Sequence, residues 1–168
     1  MTNLSPEVHC DTFKNVHLVS PLLHAYEFIT RANNHINEYE FLEEYARNRA
    51  WHFNLSKIKS FLKHRENAIV ITCPNERIEW VNKGFTRMTG YGAYEAIGKF
   101  PNFLQGIETS EVIRKEIREK LTIKTSFSGE VLNYRKDGEQ YLCKVDILPI
   151  FNNDKVLCNF IALEREVN

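Results

Sequence analysis

Apolar and polar residues change their rhythm partway along this chain. Up to about residue 65 the apolar positions recur at helical spacing: Leu22, Tyr26 and Ile29, then Tyr39, Leu42, Ala46 and Phe53, then Leu55, Ile58, Phe61 and Leu62. Ser20 followed by Pro21, Asn37 with Glu40 in a capping-box pattern, and Ser56 as a third cap predict three helices here, the first stopped by Asn33-Asn34. Phe41, Tyr45 and Trp51 widen the stripe of the second helix, so that helix has more than one side to bury.

From Ala68 the period shortens to that of strands. Ala68 to Thr72 and Ile78 to Val81 predict two short strands parted by Pro74-Asn75, and three short helical pieces fill 83–104. Thr109 or Ser110 caps a longer helix to about residue 123, with Ile113, Ile117 and Leu121 on its apolar side. Val131 to Tyr134, Gln140 to Ile150 and Val156 to Glu164 predict three more strands, the first two joined by a hairpin at Asp137-Gly138, where both residues tolerate positive φ. Alternation puts Tyr141, Cys143, Val145 and Ile147 on one side of the long strand, and Val156, Cys158, Phe160, Ala162 and Glu164 on one side of the last. The other side of that last strand, with Leu157, Ile161 and Leu163, is apolar too. A sheet face wet by solvent would be polar, so a second layer is expected over it. Only Val167-Asn168 follow, so the cover is expected from the leading helices or from another subunit.

Residue usage sharpens the division. All six histidines (9, 17, 24, 35, 52, 64) fall before residue 65 and all seven glycines (84, 90, 92, 98, 106, 129, 138) after residue 83. The expected organisation is an N-terminal helical extension over 1–66, serving as cap and dimer element, and an α+β domain over 67–168. Lys+Arg and Asp+Glu each total 22, so no overall field draws the chain to nucleic acid or anionic lipid. Cysteines 10, 73, 143 and 158 form no C-x-x-C pair, which fits free thiols in a reducing compartment. With no secretory signal and no run of about 18 apolar residues, a cytoplasmic location is expected.

Three segments carry a resemblance. Ile78-Glu79-Trp80-Val81-Asn82-Lys83-Gly84-Phe85-Thr86-Arg87-Met88-Thr89-Gly90-Tyr91, Gly98-Lys99-Phe100-Pro101-Asn102-Phe103-Leu104-Gln105-Gly106 and Asn133-Tyr134-Arg135-Lys136-Asp137-Gly138 stand at compatible spacing. Together they resemble the light-oxygen-voltage branch of the PAS domain family over about residues 68–166. The resemblance implies an α+β PAS fold, a five-stranded antiparallel sheet with short flanking helices, here preceded by the helical extension. It also implies where a flavin would lie. The family's adduct-forming cysteine corresponds to Pro101, its neighbouring ribityl and phosphate anchors to Phe100 and Asn102, and two polar ring contacts to Cys143 and Glu164. Gln105 and Asn133 keep polar residues that the family uses around the flavin. Adduct chemistry is therefore excluded by the resemblance, and FMN is not expected. Haem is not expected either, since family members ligate it through a histidine and none follows His64.

Gln105, Asn133, Cys143 and Glu164, with Phe100 as lid, are the candidate lining of a small pocket whose ligand is unidentified. A carboxyl group there would be desolvated and its pKa raised, suiting it to sense a proton, a cation or an amine. The plainer readings set Glu164 at a solvated rim and make Cys143 inert packing. No nucleophile elbow, Walker loop or H-E-x-x-H is present, so catalysis is not expected. His17 and His24 lie two helical turns apart, which gives no metal pair, and Lys57, Lys59, Lys63 and Arg65 read as a solvated helix face rather than a nucleic-acid surface.

The expectation is a non-catalytic sensor or interaction module of bacterial type in signal transduction, with the N-terminal helices as output and dimer element. Its expected partners are a second copy, a downstream signalling protein and a small-molecule ligand, with no membrane and no nucleic acid. Two alternatives stand beside it: an FMN-binding light or redox sensor without adduct chemistry, and a structural dimerisation adaptor whose core is filled.

Overall fold

The computed structural model describes residues 38–167. The helix expected over 20–33 and the cap expected at Asn37 lie outside the described residues. Two helices, α1 (Glu38–Asn48) and α2 (Ser56–Phe61), precede β1 (Ala68–Thr72) and β2 (Ile78–Val81). Then come α3 (Lys83–Thr89), α4 (Ala93–Ala96), a 3-10 turn (Pro101–Leu104) and α5 (Glu111–Thr122), followed by β3 (Phe127–Tyr134), β4 (Gln140–Phe151) and β5 (Leu157–Glu166). The strands form one antiparallel sheet in the order β2-β1-β5-β4-β3. Among the described residues no helix is long and apolar enough to cross a membrane.

Local chemistry explains the boundaries, and it corrects several expectations. α1 ends at Asn48 rather than running on to Phe53, because Ala50 takes a positive φ of 51° and turns the chain so that Trp51 bridges to Asn152. Ser56 does not cap α2: its amide donates to Asn54 Oδ1 at 2.9 Å, so Asn54 supplies the acceptor. Neither Thr109 nor Ser110 caps α5 by side chain; the Thr109 hydroxyl donates instead to the Leu132 carbonyl at 2.6 Å, pinning the helix entry to β3. β3 begins at Phe127, four residues ahead of the expected start, because Gly129 and three polar neighbours weaken the apolar signal there. At the hairpin only Gly138 has positive φ, and its amide donates to the Arg135 carbonyl at 3.0 Å. The turn is thus a three-residue loop closed by glycine, not a two-residue turn with both residues left-handed.

Asn82 joins the first strands to α3. Its Oδ1 accepts from the amides of Phe85 (3.0 Å) and Ile69 (2.9 Å), and its Nδ2 donates to the Asn67 carbonyl at 3.0 Å. One buried side chain therefore caps a helix and ties it to β1. Gly84 lies against the same corner, where a Cβ would stand 1.8 Å from the Asn67 oxygen, so only glycine fits.

The sheet parts two cores. On the inner face Val70, Val131, Tyr141, Cys143 and Val145 pack with Phe85, Met88 and Leu104. On the outer face Ile69, Ile71, Trp80, Ile161 and Leu163 are covered by Phe41, Leu42 and Tyr45 of α1 and by Ile58 of α2. The leading helices supply the layer that two-sided apolarity in the last strand demanded. Leu42 and Ile58 are fully buried, each burial contributing about 1.5–3 kcal/mol. A polar cluster also fastens this layer. Tyr45 Oη donates to Glu79 Oε2 at 2.6 Å, Asn159 Nδ2 donates to the same oxygen at 2.9 Å, and Trp51 Nε1 donates to Asn159 Oδ1 at 2.9 Å. Arg49 lies 3.8 Å from Glu79 and its guanidinium sits 3.7 Å from the centre of the Tyr45 ring. Burial pushes the Tyr45 phenol well above its usual range, with the Glu79 carboxylate adding to the shift.

Candidate functional site

The inner face of the sheet is the floor of a cleft of about 150 Å³. Val70, Val131, Val145 and Phe160 give it apolar walls, and Ile117 and Leu121 of α5 close it from the opposite side. None of the residues of α5 is fully buried, although Ile113 and Ile117 pack against the inner core and Ile117 and Leu121 line the cleft. A dry cavity of about this volume holds a molecule of benzene size.

Strand register brings the polar groups of the floor together. Asn133 pairs with Tyr141, Val131 with Cys143, and Val145 with Glu164, so Glu164 sits diagonally from Cys143 on the same face. Glu164 is only 7% exposed, and its Oε2 has no hydrogen-bond partner among the described residues. Burial alone raises its pKa to about 7. The Cys143 thiol is pushed up by burial and then by the Glu164 charge, and the Tyr141 phenol by the same two causes in the same order. The Tyr141 hydroxyl also lies buried without a hydrogen-bond partner: Asn133 is near enough to lower its pKa slightly but not aligned to bond it. Arg135 lies 4.6 Å over the Tyr141 ring, while its guanidinium is engaged by Glu139, Glu166 and the Met88 carbonyl.

Of the five positions singled out from the sequence, Gln105, Asn133, Glu164 and Phe100 line the cleft and Cys143 does not. Cys143 is buried in the core beneath Glu164, which suits packing rather than contact with a ligand. Glu164 is inside, not at a solvated rim. Phe100 stands at the mouth, 43% exposed, with the Arg77 guanidinium 4.4 Å from its ring centre. Pro101 and Asn102, beside it, also line the opening. Cys158 leaves the inner face that alternation gave it. Ile150 pairs with Asn159 and Phe151 with Leu157, so Cys158 is the extra residue of a β-bulge, and its thiol turns toward the Arg49 carbonyl. Tyr141, which shares the parity of Cys143, is buried in the inner core and, like Cys143, does not line the cleft.

Residues 66–168 match the family model for the PAS domain. Phototropin-1A of Oryza sativa subsp. japonica is 37% identical over 97 residues, covering 58% of this chain and 10% of the relative. The blue-light-activated histidine kinase of Rhizobium johnstonii is 37% identical over 94 residues, covering 56% and 27%. The blue-light photoreceptor of Listeria monocytogenes is 33% identical over 102 residues, covering 59% and 40%. The chain thus spans well under half the length of these relatives. Among solved structures, a light-oxygen-voltage domain studied with a flavin analogue superposes with a TM-score of 0.62 at 25% identity, covering 68% of this chain and 87% of that one. The light-state structure of the Aureochrome1 light-oxygen-voltage domain gives 0.59 at 28% identity, covering 67% and 90%. With the family model matched over most of the chain and the sheet order and inner cleft in place, the chain belongs to the PAS domain family and has light-oxygen-voltage domains among its homologues.

Proposed function

We propose that this PAS domain is a non-catalytic sensor in signal transduction that takes a small ligand into the inner cleft and reports its state through α1 and α2. The observation that carries the reading is the cleft itself, open at Phe100 and lined by the buried Glu164, whose Oε2 meets no donor among the described residues. A group so placed costs about 1–3 kcal/mol unless something pairs with it, and a ligand is the economical partner. The opposite face of the same strand carries Ile161 and Leu163 against the helical layer, and Asn159 binds the cluster that fastens α1. A shift of β5 therefore reaches α1 directly. Homodimerisation and contact with a downstream protein through this helical layer belong to the same proposal.

A flavin-dependent light sensor is the second reading, favoured by the names of the relatives. The residues present do not fit FMN. The cleft is smaller than the roughly 300–1,000 Å³ of pockets for drug-sized ligands, and among the described residues no Lys, Arg or His lines it to meet a phosphate, whereas Glu76 and Glu164 do line it. No cysteine is among the lining residues, and no histidine is there to ligate haem.

The test uses the full chain freshly purified. Expected are a visible spectrum without flavin or haem absorption and a rise in Tm on saturation with toluene, a probe of the cavity. Flavin absorption in stoichiometric amount would establish the second reading instead. A Tm that toluene leaves unmoved would favour an adaptor with a filled core.

A further inference from the structure

We propose that the cleft selects a compact amine, an aromatic or branched apolar body of about benzene size whose ammonium group sits against Glu164. The inference rests on the reading of the cleft as a ligand site and narrows it to one chemical class. Glu164 lines the cleft and is more than nine-tenths buried, and among the described residues its Oε2 is an acceptor without a donor. Arg135, which packs over the Tyr141 ring on the inner face, is held by Glu139, Glu166 and the Met88 carbonyl. Among the other polar residues of the lining, Gln105 and Asn133 offer side-chain carbonyls as further acceptors and Glu76 adds a second carboxylate. Such a lining presents acceptors without a cationic donor, so it favours a donor-rich cation and repels an anion.

Volume sets the rest of the specificity. A cavity of about 150 Å³ takes one ring or a short branched chain, and the Phe160 and Phe100 rings supply apolar and aromatic contact for it. A charge-assisted hydrogen bond to a buried carboxylate is worth more than a neutral one, so the ammonium and not the ring carries the selectivity.

The test is calorimetric titration of the full chain with benzylamine, benzyl alcohol, toluene and benzoate, repeated on Glu164→Gln. Benzylamine is expected to bind at least about tenfold more tightly than benzyl alcohol or toluene, and benzoate not at all. Glu164→Gln is expected to erase the preference for benzylamine while toluene binds as before. If toluene binds but benzylamine binds no better, or if the preference survives in Glu164→Gln, the amine proposal is overturned and a ligand-binding cleft remains. If none of the four probes binds, the sensor reading falls with it. Should the variant fail to fold, the ranking of the four probes on the unaltered chain decides.

Discussion

Glu164 lines the cleft, its Oε2 meets no donor among the described residues, and its protonation follows from that burial. Its pKa of about 7 stands above the ordinary value of 4.5, so between those limits the folded chain binds a proton that the unfolded chain releases. The stability it contributes is fully present below pH 4.5 and is lost as pH rises through 7, a fall of about 3 kcal/mol. Urea unfolding at pH 5 and pH 8 should show this fall, and Glu164→Gln should flatten it. Tyr141 and Cys143, the titratable neighbours on β4, are both shifted upward by burial and ionise far above this window. A second test at this scale concerns the corner beside Asn82. Gly84→Ala would drive a methyl group into the Asn67 carbonyl, and the expected loss is about 1–3 kcal/mol, read from the urea midpoint.

At the scale of elements, α1 has two attachments of different kinds. Its apolar face packs on Trp80, Ile161 and Leu163, with the Phe41 and Trp80 rings stacked at 5.2 Å. Its polar attachment is made at two carboxylates: Glu79, which accepts from Tyr45 and Asn159 on one oxygen, and its own Glu38, whose Oε1 accepts from the Lys83 amide at 2.8 Å. Leu42→Ala leaves a cavity in the first attachment and should cost about 2–5 kcal/mol of global stability. Glu79→Ala should act differently, loosening α1 locally: amide exchange in residues 38–48 should quicken more than exchange in β4. Equal changes in both elements would show that the cluster serves the whole fold rather than the helix.

For the whole molecule, the helical layer closes one face of the sheet and the cleft opens on the other. Removing residues 1–66 would strip the outer face of Ile69, Ile71, Ile161 and Leu163 of its cover. The truncated chain should bind a hydrophobic dye and associate, where the full chain does not bind the dye; a monomeric, dye-silent remainder would contradict the role given to α1 and α2. Native mass spectrometry of the full chain should show a dimer if the leading residues also join two copies.

The sequence alone determined the sheet, its hairpin and the burial of both faces of the last strand. These are local matters, since period-two alternation and a glycine at a turn act over neighbours and leave their mark in order along the chain. The same alternation placed Glu164 on the inner face. Tertiary structure decided the rest. Whether Glu164 was solvated or sealed depended on Ala68 and Val145, its pairing partners on β1 and β4, and on Val70, Val131 and Leu121, which line the same cleft from β1, β3 and α5. Whether α1 gripped the sheet depended on Glu79 and Asn159, residues 34 and 114 positions beyond Tyr45. A β-bulge moved Cys158 off its expected face because pairing between distant strands, not the strand's own pattern, sets register at its end. Desolvation and hydrogen-bond completion are properties of what surrounds a group in space, and no periodicity along the chain encodes them.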